Sequence, residues 1–147
     1  MAVKKILIAV DDSDISARAA RVGTELARSV KAKIGFIHIF DPTTGPGTIW
    51  GVPANHLTEL SERAAKDLLA TFRKRNAQRS KVMEFLRSGK PAHQIIEVAK
   101  SWPADLIVMG SHGRGKIGGM ILGSVSQEVL CHAPCPVMVV PPDTREF

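Results

Sequence analysis

Aromatic residues are scarce in this chain: they make up 5% of its 147 residues, and tyrosine is absent. No strand-forming segment is rich in them, so none offers the stacking platform on which single-stranded nucleic acid is held. Cysteine is nearly missing as well. Cys131 and Cys135 are the two present. No second ligand pair stands at zinc spacing, so they read as reduced thiols, structural or incidental, and no metal site is expected. No apolar run is long enough to cross a bilayer. The run after Lys4-Lys5 ends at Val10 against Asp11-Asp12, too short for a secretory signal core and without a small-residue cleavage site. These absences predict a cytoplasmic protein with no membrane partner.

Positive charge is what the chain has in excess. Twenty Lys and Arg against fourteen Asp and Glu leave a net charge of +6, which favours anionic partners. The basic residues are scattered along the sequence. Their densest run, Arg73-Lys74-Arg75, falls late in a predicted helix, where basic side chains complement the helix dipole. The expectation is therefore no nucleic acid partner.

Strand and helix signals alternate over residues 1–147, read as one domain without repeats or linkers. Lys4 to Val10 is a continuous apolar strand, as expected when both faces are covered. Asp11-Asp12-Ser13 offers N-cap oxygens for a helix with an apolar stripe of Ile15, Ala19, Val22, Leu26 and Val30. A second strand spans Lys33 to Phe40. A loop rich in Gly, Pro and Thr, Asp41 to Pro53, is long for a compact domain, as lids and disordered segments are. The next helix begins near Asn55, with Leu57, Leu60, Ala64, Leu68 and Phe72 as its core stripe. Strand three, Val82 to Arg87, keeps polar residues in alternation and belongs at a sheet edge. Lys90-Pro91 opens a short helix with Ala92, Ile95, Ile96 and Ala99 on its apolar face. Strand four is Asp105 to Met109, a last helix ends near His132, and strand five is Pro136 to Val140. This order implies an α/β, Rossmann-like fold: a five-stranded parallel sheet with helices on both faces and ligands outside its carboxyl ends.

Strand four runs straight into Gly110-Ser111-His112-Gly113-Arg114-Gly115-Lys116-Ile117-Gly118-Gly119. Gly110 to Lys116 resembles a P-loop, but Ile117 stands where Ser or Thr must hold magnesium. Gly113 to Gly118 spells G-x-G-x-x-G, yet the acidic ribose partner that motif needs would fall near Ala133. Both motifs also need a helix that starts within the glycines. Instead Ser124-Val125-Ser126-Gln127 spells a capping box, which starts the helix at Ser124. The glycines thus form a wide loop whose N–H groups, with those of the Ser124 helix, can surround an anion.

Gly110-x-x-Gly113, nine residues, then Gly123-Ser124 resembles the nucleotide loop of the universal stress protein family. Further segments resemble that family in order: Ile6 to Ser13, Gly89 to Ala92, Asp105 to Gly115 and Cys135 to Val137. The resemblance implies a Rossmann-like domain of the adenine nucleotide alpha hydrolase type, usually dimeric, of the branch that binds ATP. It implies that Asp11 meets the ribose, that Ala9, Val10 and Ile39 flank the adenine, and that Met109 and Gly110 lie beside the sugar. Ser111, His112, Gly113 and Arg114 would surround the phosphates from one side, and Gly123, Ser124, Val125 and Ser126 from the other. Family members often carry proline where Ala9 stands, which alters the pocket shape. His112 has no nucleophile or second acid spaced to make it a general base, so a loop hydrogen bond is its expected role, and no catalytic residue is assigned.

Three functions follow as expectations. The first is a regulatory stress-response module that binds ATP with Mg2+ or Mn2+ and hydrolyses it weakly at most. The second is a slow ATPase or nucleotidyl-transfer enzyme. The third is a partner-binding or chaperone-like scaffold with structural nucleotide, a homodimer paired through strand five.

Overall fold

A computed structural model describes residues 1–40, 54–76, 81–113 and 122–143. The elements are β1 (Lys5–Ala9), α1 (Asp14–Val30), β2 (Lys33–Phe40), α2 (Ala54–Asn76), β3 (Val82–Ser88), α3 (Pro91–Ser101), β4 (Leu106–Gly110), α4 (Ser124–His132) and β5 (Val137–Val140). The strands form one parallel sheet in the order β3-β2-β1-β4-β5. The chain winds outward from β1 to β3, then crosses back to add β4 and β5 on the other side. The winding direction therefore reverses between β1 and β4, where the carboxyl ends of an open sheet leave a crevice.

Two cores flank the sheet. Ile6, Ile8 and Phe36 pack toward α1 and α2. Leu7, Ile37 and Ile107 pack toward α3 and α4. Ile6, Leu7 and Ile8 are wholly buried, which is why β1 is apolar at every position from Ile6 to Ala9 rather than at alternate ones. β3 lies at one edge, as its alternation predicts, with Met83 half exposed. β5 forms the other edge.

Two predicted helix stripes are rotated from the true contact faces. In α1 the buried residues are Ser16, Ala19, Ala20, Gly23, Thr24 and Ala27, whereas Val30 is 45% exposed. Val22 and Leu26 pack only at the margin. Small side chains set the contact because the helix lies close to the sheet: a Cβ on Gly23 would sit 2.8 Å from Ile8 Cδ1. In α2 the buried residues include Ala65, Leu69 and Phe72, while Leu60 is 55% exposed and Ala64 is also exposed. Phe72 fixes this rotation by packing against Phe36, with ring centroids 6.1 Å apart. Residues three and seven positions before it share its face. The Asp41 to Pro53 loop, the side chain of Leu57, Arg114 and residues 115–121 lie outside the described residues. Among the described residues no helix is long and apolar enough to cross a membrane.

Candidate functional site

The turn after β1 divides its polar work among three residues. Ser13 is the N-cap of α1, and its hydroxyl accepts from the Ser16 N–H at 3.2 Å. Ser16 Oγ in turn accepts from the Asp11 N–H at 2.7 Å. Asp11 Oδ1 accepts from both the N–H (2.8 Å) and the hydroxyl of Ser13. One carboxylate oxygen of Asp11 is thus fixed in the turn. The other, Oδ2, faces Gly113: a Cβ added to Gly113 would lie 3.0 Å from it. Capping and facing the crevice are therefore not alternatives for Asp11, because the cap is Ser13 and Asp11 braces it.

The end of β4 is tied to its neighbours through Ser111. Its N–H donates to Val140 O at 2.9 Å, and its carbonyl accepts from the Gly123 N–H at 2.7 Å. The Ser126 hydroxyl, 2.9 Å from Gly110 O and 3.1 Å from Ser111 O, donates to this pair of carbonyls. Ser126 therefore spends its proton on anchoring α4 and does not offer it to a ligand. The predicted capping box is also absent. Gly123 is the N-cap, no side chain caps the helix, and the Gly123 carbonyl accepts from the Gln127 N–H at 3.0 Å. The helix still begins at Ser124, with first-turn N–H groups that no intrahelical acceptor can satisfy. His112 is buried, with Nδ1 3.0 Å from Ser111 Oγ, in keeping with the expected loop role.

These two ends enclose a cavity of about 300 Å³, within the range of small-molecule sites. Twelve of the residues predicted from sequence line it. They are Ala9, Val10 and Asp11 from β1 and its turn, Ile39 from β2, Met109, Gly110, His112 and Gly113 from β4 and beyond, and Gly123, Ser124, Val125 and Ser126. Ser111 is buried behind the lining and holds the loop from within.

Five lining residues escaped the sequence reading: Ser16, Ile37, His38, Pro91 and Ile95. His38 Nδ1 lies 2.8 Å from Val10 O. A carbonyl only accepts, so Nδ1 carries a proton and donates it there. Pro91 and Ile95 come from α3, whose proximity depends on the crossover rather than on any local pattern. Ser16 alone had a usable signal, since a serine in the first turn of a capped helix often bonds back to the turn.

The cavity joins an apolar slot, walled by Ile37, Ile39, Ile95 and Val125, to a polar end made by Asp11, His112 and the start of α4. Such a site can seat a flat apolar ring at one end and an anion against the helix N-terminus at the other. Among the described residues no three His, Cys, Asp or Glu side chains cluster to hold a metal ion.

Comparison with known proteins agrees with this architecture. The universal stress protein family profile matches residues 2–141. A universal stress protein encoded in the sulfhydrylase 3′ region of Thermus aquaticus is 37% identical over 139 residues, 93% of this chain and 98% of its own length. Universal stress protein YxiE of Bacillus subtilis is 32% identical over 92% of this chain and 97% of its own. Among solved structures, UspA from Lactobacillus plantarum superposes with a TM-score of 0.82 at 26% identity, covering 95% of this chain and 99% of that one. A universal stress protein crystallised with cAMP gives a TM-score of 0.70 at 25% identity, over 95% and 98% of the two chains.

Proposed function

This chain belongs to the universal stress protein family, and on that premise we propose that it is a regulatory module that holds ATP in the cavity between β1 and β4. The observation that carries the proposal is the pairing of Asp11 Oδ2 with Gly113 across the mouth of that cavity. A carboxylate oxygen fixed there accepts from sugar hydroxyls. The missing side chain of Gly113 leaves room for the sugar and the start of the phosphate chain. The apolar slot takes the adenine, and the uncapped start of α4 takes a phosphate. A likeness to a family member seen with cAMP supports an adenine nucleotide in particular.

The residues fit the nucleotide better than they fit a metal of their own. A divalent ion, Mg2+ or Mn2+, would be held chiefly by phosphate oxygens, with Asp11 as the nearest carboxylate of the site. Binding without fast turnover follows from the roles above: Ser126 and Ser111 serve the loop, and His112 is engaged with Ser111. The nucleotide then acts by favouring one conformation or assembly. In this reading the assembly is a cytoplasmic homodimer joined through the β5 edge.

The test is calorimetry on protein stripped of endogenous nucleotide, with native mass spectrometry of the unstripped protein. We expect Mg-ATP binding with a thermal shift, and steady-state hydrolysis close to buffer. Absence of any adenine nucleotide binding would overturn the site. Rapid turnover would replace the module by an ATPase. A monomer at all concentrations in sedimentation would remove the dimer.

A further inference from the structure

The cations that are scattered along the sequence are gathered by the fold. In a parallel α/β sheet the strands all begin, and the helices all end, on one side. At that amino end Lys5 and Lys33 stand opposite each other on β1 and β2. Lys81 immediately precedes Val82, which stands opposite Ile34 on β2. Three lysines thus form a row across three adjacent strands, with steps of about 4.8 Å between strands. Lys33 and Lys81 are exposed, and Lys5 Nζ lies 5.5 Å over the Trp102 ring.

A second group lies beside this row. Arg28 in the last turn of α1 donates to Asn76 O at the end of α2, which draws the two helix ends together. Lys31 follows Arg28 and the run Arg73-Lys74-Arg75 precedes Asn76 in the chain, all exposed. Among the described residues the ion pairs at this end are Arg73–Glu84 at 3.3 Å and Lys100–Glu97 at 3.7 Å. The Asp105 carboxylate accepts from the backbone N–H groups of Lys4 and Lys5 at 2.8 and 2.9 Å.

The helix dipole accounts for basic residues in the last turns of α1 and α2. It does not account for the row on the strands, where like charges placed opposite each other disfavour the fold. Nor does it account for Lys31, which adopts a left-handed backbone (φ 58°, ψ 37°). That position favours glycine, and a lysine there costs about 1 kcal/mol. The chain carries both costs at the same end.

We propose that this amino end is a second binding surface, for the phosphate backbone of a nucleic acid duplex, separate from the nucleotide cavity at the carboxyl end. A duplex has the charge density that rewards such a surface through counterion release. No aromatic side chain is among the exposed large hydrophobic residues described, so stacking on single strands is not the mode. A membrane fits less well. Of the large apolar side chains exposed at this end, Val30 and Leu130 lie in the last turns of α1 and α4, Met83 is on the edge strand β3 and Met1 precedes β1, so they come from four separate elements. They make no common wedge to insert into lipid.

The test measures anisotropy of a labelled 20-base-pair duplex, titrated with the full chain at 50 and 200 mM salt. Binding at 50 mM is expected, with affinity falling about a hundredfold by 200 mM for some four phosphate contacts. The double variant Lys33→Gln/Lys81→Gln should weaken binding at least tenfold and lower the logarithmic salt slope by about 2, with a melting temperature no lower than the parent's, since like charges are removed. No duplex binding at 50 mM overturns the proposal. So does a double variant that binds as well as the parent. Binding to phosphatidylserine vesicles but not to duplex assigns the surface to lipid and overturns it equally.

Discussion

The two ends of the sheet handle polar groups in opposite ways. At the carboxyl end the named polar groups are bound inward. Asp11 braces Ser13, Ser16 takes the Asp11 N–H, and Ser126 reaches two carbonyls. What remains toward the cavity is a few groups held at fixed positions, as a small-molecule site requires. At the amino end the charged side chains project into solvent with few acidic partners, as suits a surface that reads charge rather than shape. A fold built from parallel strands separates these two chemistries by construction, because every strand ends on one side of the sheet and every crossover helix ends on the other.

Asp11→Asn gives the largest expected effect and tests this separation directly. The amide oxygen can keep the brace to Ser13, while the amide nitrogen puts a donor where Oδ2 now accepts. ATP affinity should fall about ten- to a hundredfold, the worth of one hydrogen bond to a charged group. Calorimetry measures it, and duplex anisotropy should not move. A loss of duplex binding in the same variant would mean that the two ends are one site.

Ser126→Ala comes next. It removes the hydroxyl that bonds Gly110 O and Ser111 O, and should cost about 1–2 kcal/mol in urea unfolding. The Lys33→Gln/Lys81→Gln variant should stay within about 0.5 kcal/mol of the parent, as exposed substitutions do. Equal losses from both would break the distinction between a bonded end and an exposed one. Lys31→Gly sharpens it from the other side. Relief of the left-handed backbone should add about 0.5–1 kcal/mol of stability, while duplex affinity drops a few-fold. A variant that gains no stability would remove the argument that a lysine is kept there at a cost.

Much of the carboxyl end was readable from sequence because its signals are local. A glycine run after an apolar strand, adjacent aspartates before a helix, and Gly123-Ser124 at a helix start each mark a place within a few residues. The edge position of β3 was likewise encoded in its own alternation. Quantities set by a neighbour were not readable. The rotation of α2 is decided by Phe72 meeting Phe36, and that of α1 by how closely Gly23 approaches Ile8. Pro91 and Ile95 reach the cavity because α3 crosses beside it, and His38 because the end of β2 borders Val10. The basic end was missed for the same reason: Lys5, Lys33 and Lys81 are far apart in sequence and adjacent only through strand pairing.

The smallest effect concerns the two thiols, and it probes the potential at the amino end. Cys131 is exposed at the end of α4, and Cys135 is half-buried before β5. Burial, and then the negative charge of Asp105, raise the Cys135 thiol above its ordinary range, with the Ile107 backbone hydrogen bond pulling it back. The folded chain therefore holds that proton more tightly than the unfolded one. Its contribution to stability is full below the unfolded thiol pKa and is lost as pH climbs through the folded one. At pH 8 iodoacetamide should modify Cys131 several-fold faster than Cys135, as mass spectrometry of timed aliquots would record. Asp105→Asn removes the neighbouring negative charge and leaves an amide oxygen to accept from Lys4 and Lys5. Cys135 should then react faster, and duplex affinity should rise as the amino end grows more positive. Both readouts moving together would tie them to one local field; a Cys135 rate that stays fixed would confine the thiol shift to burial.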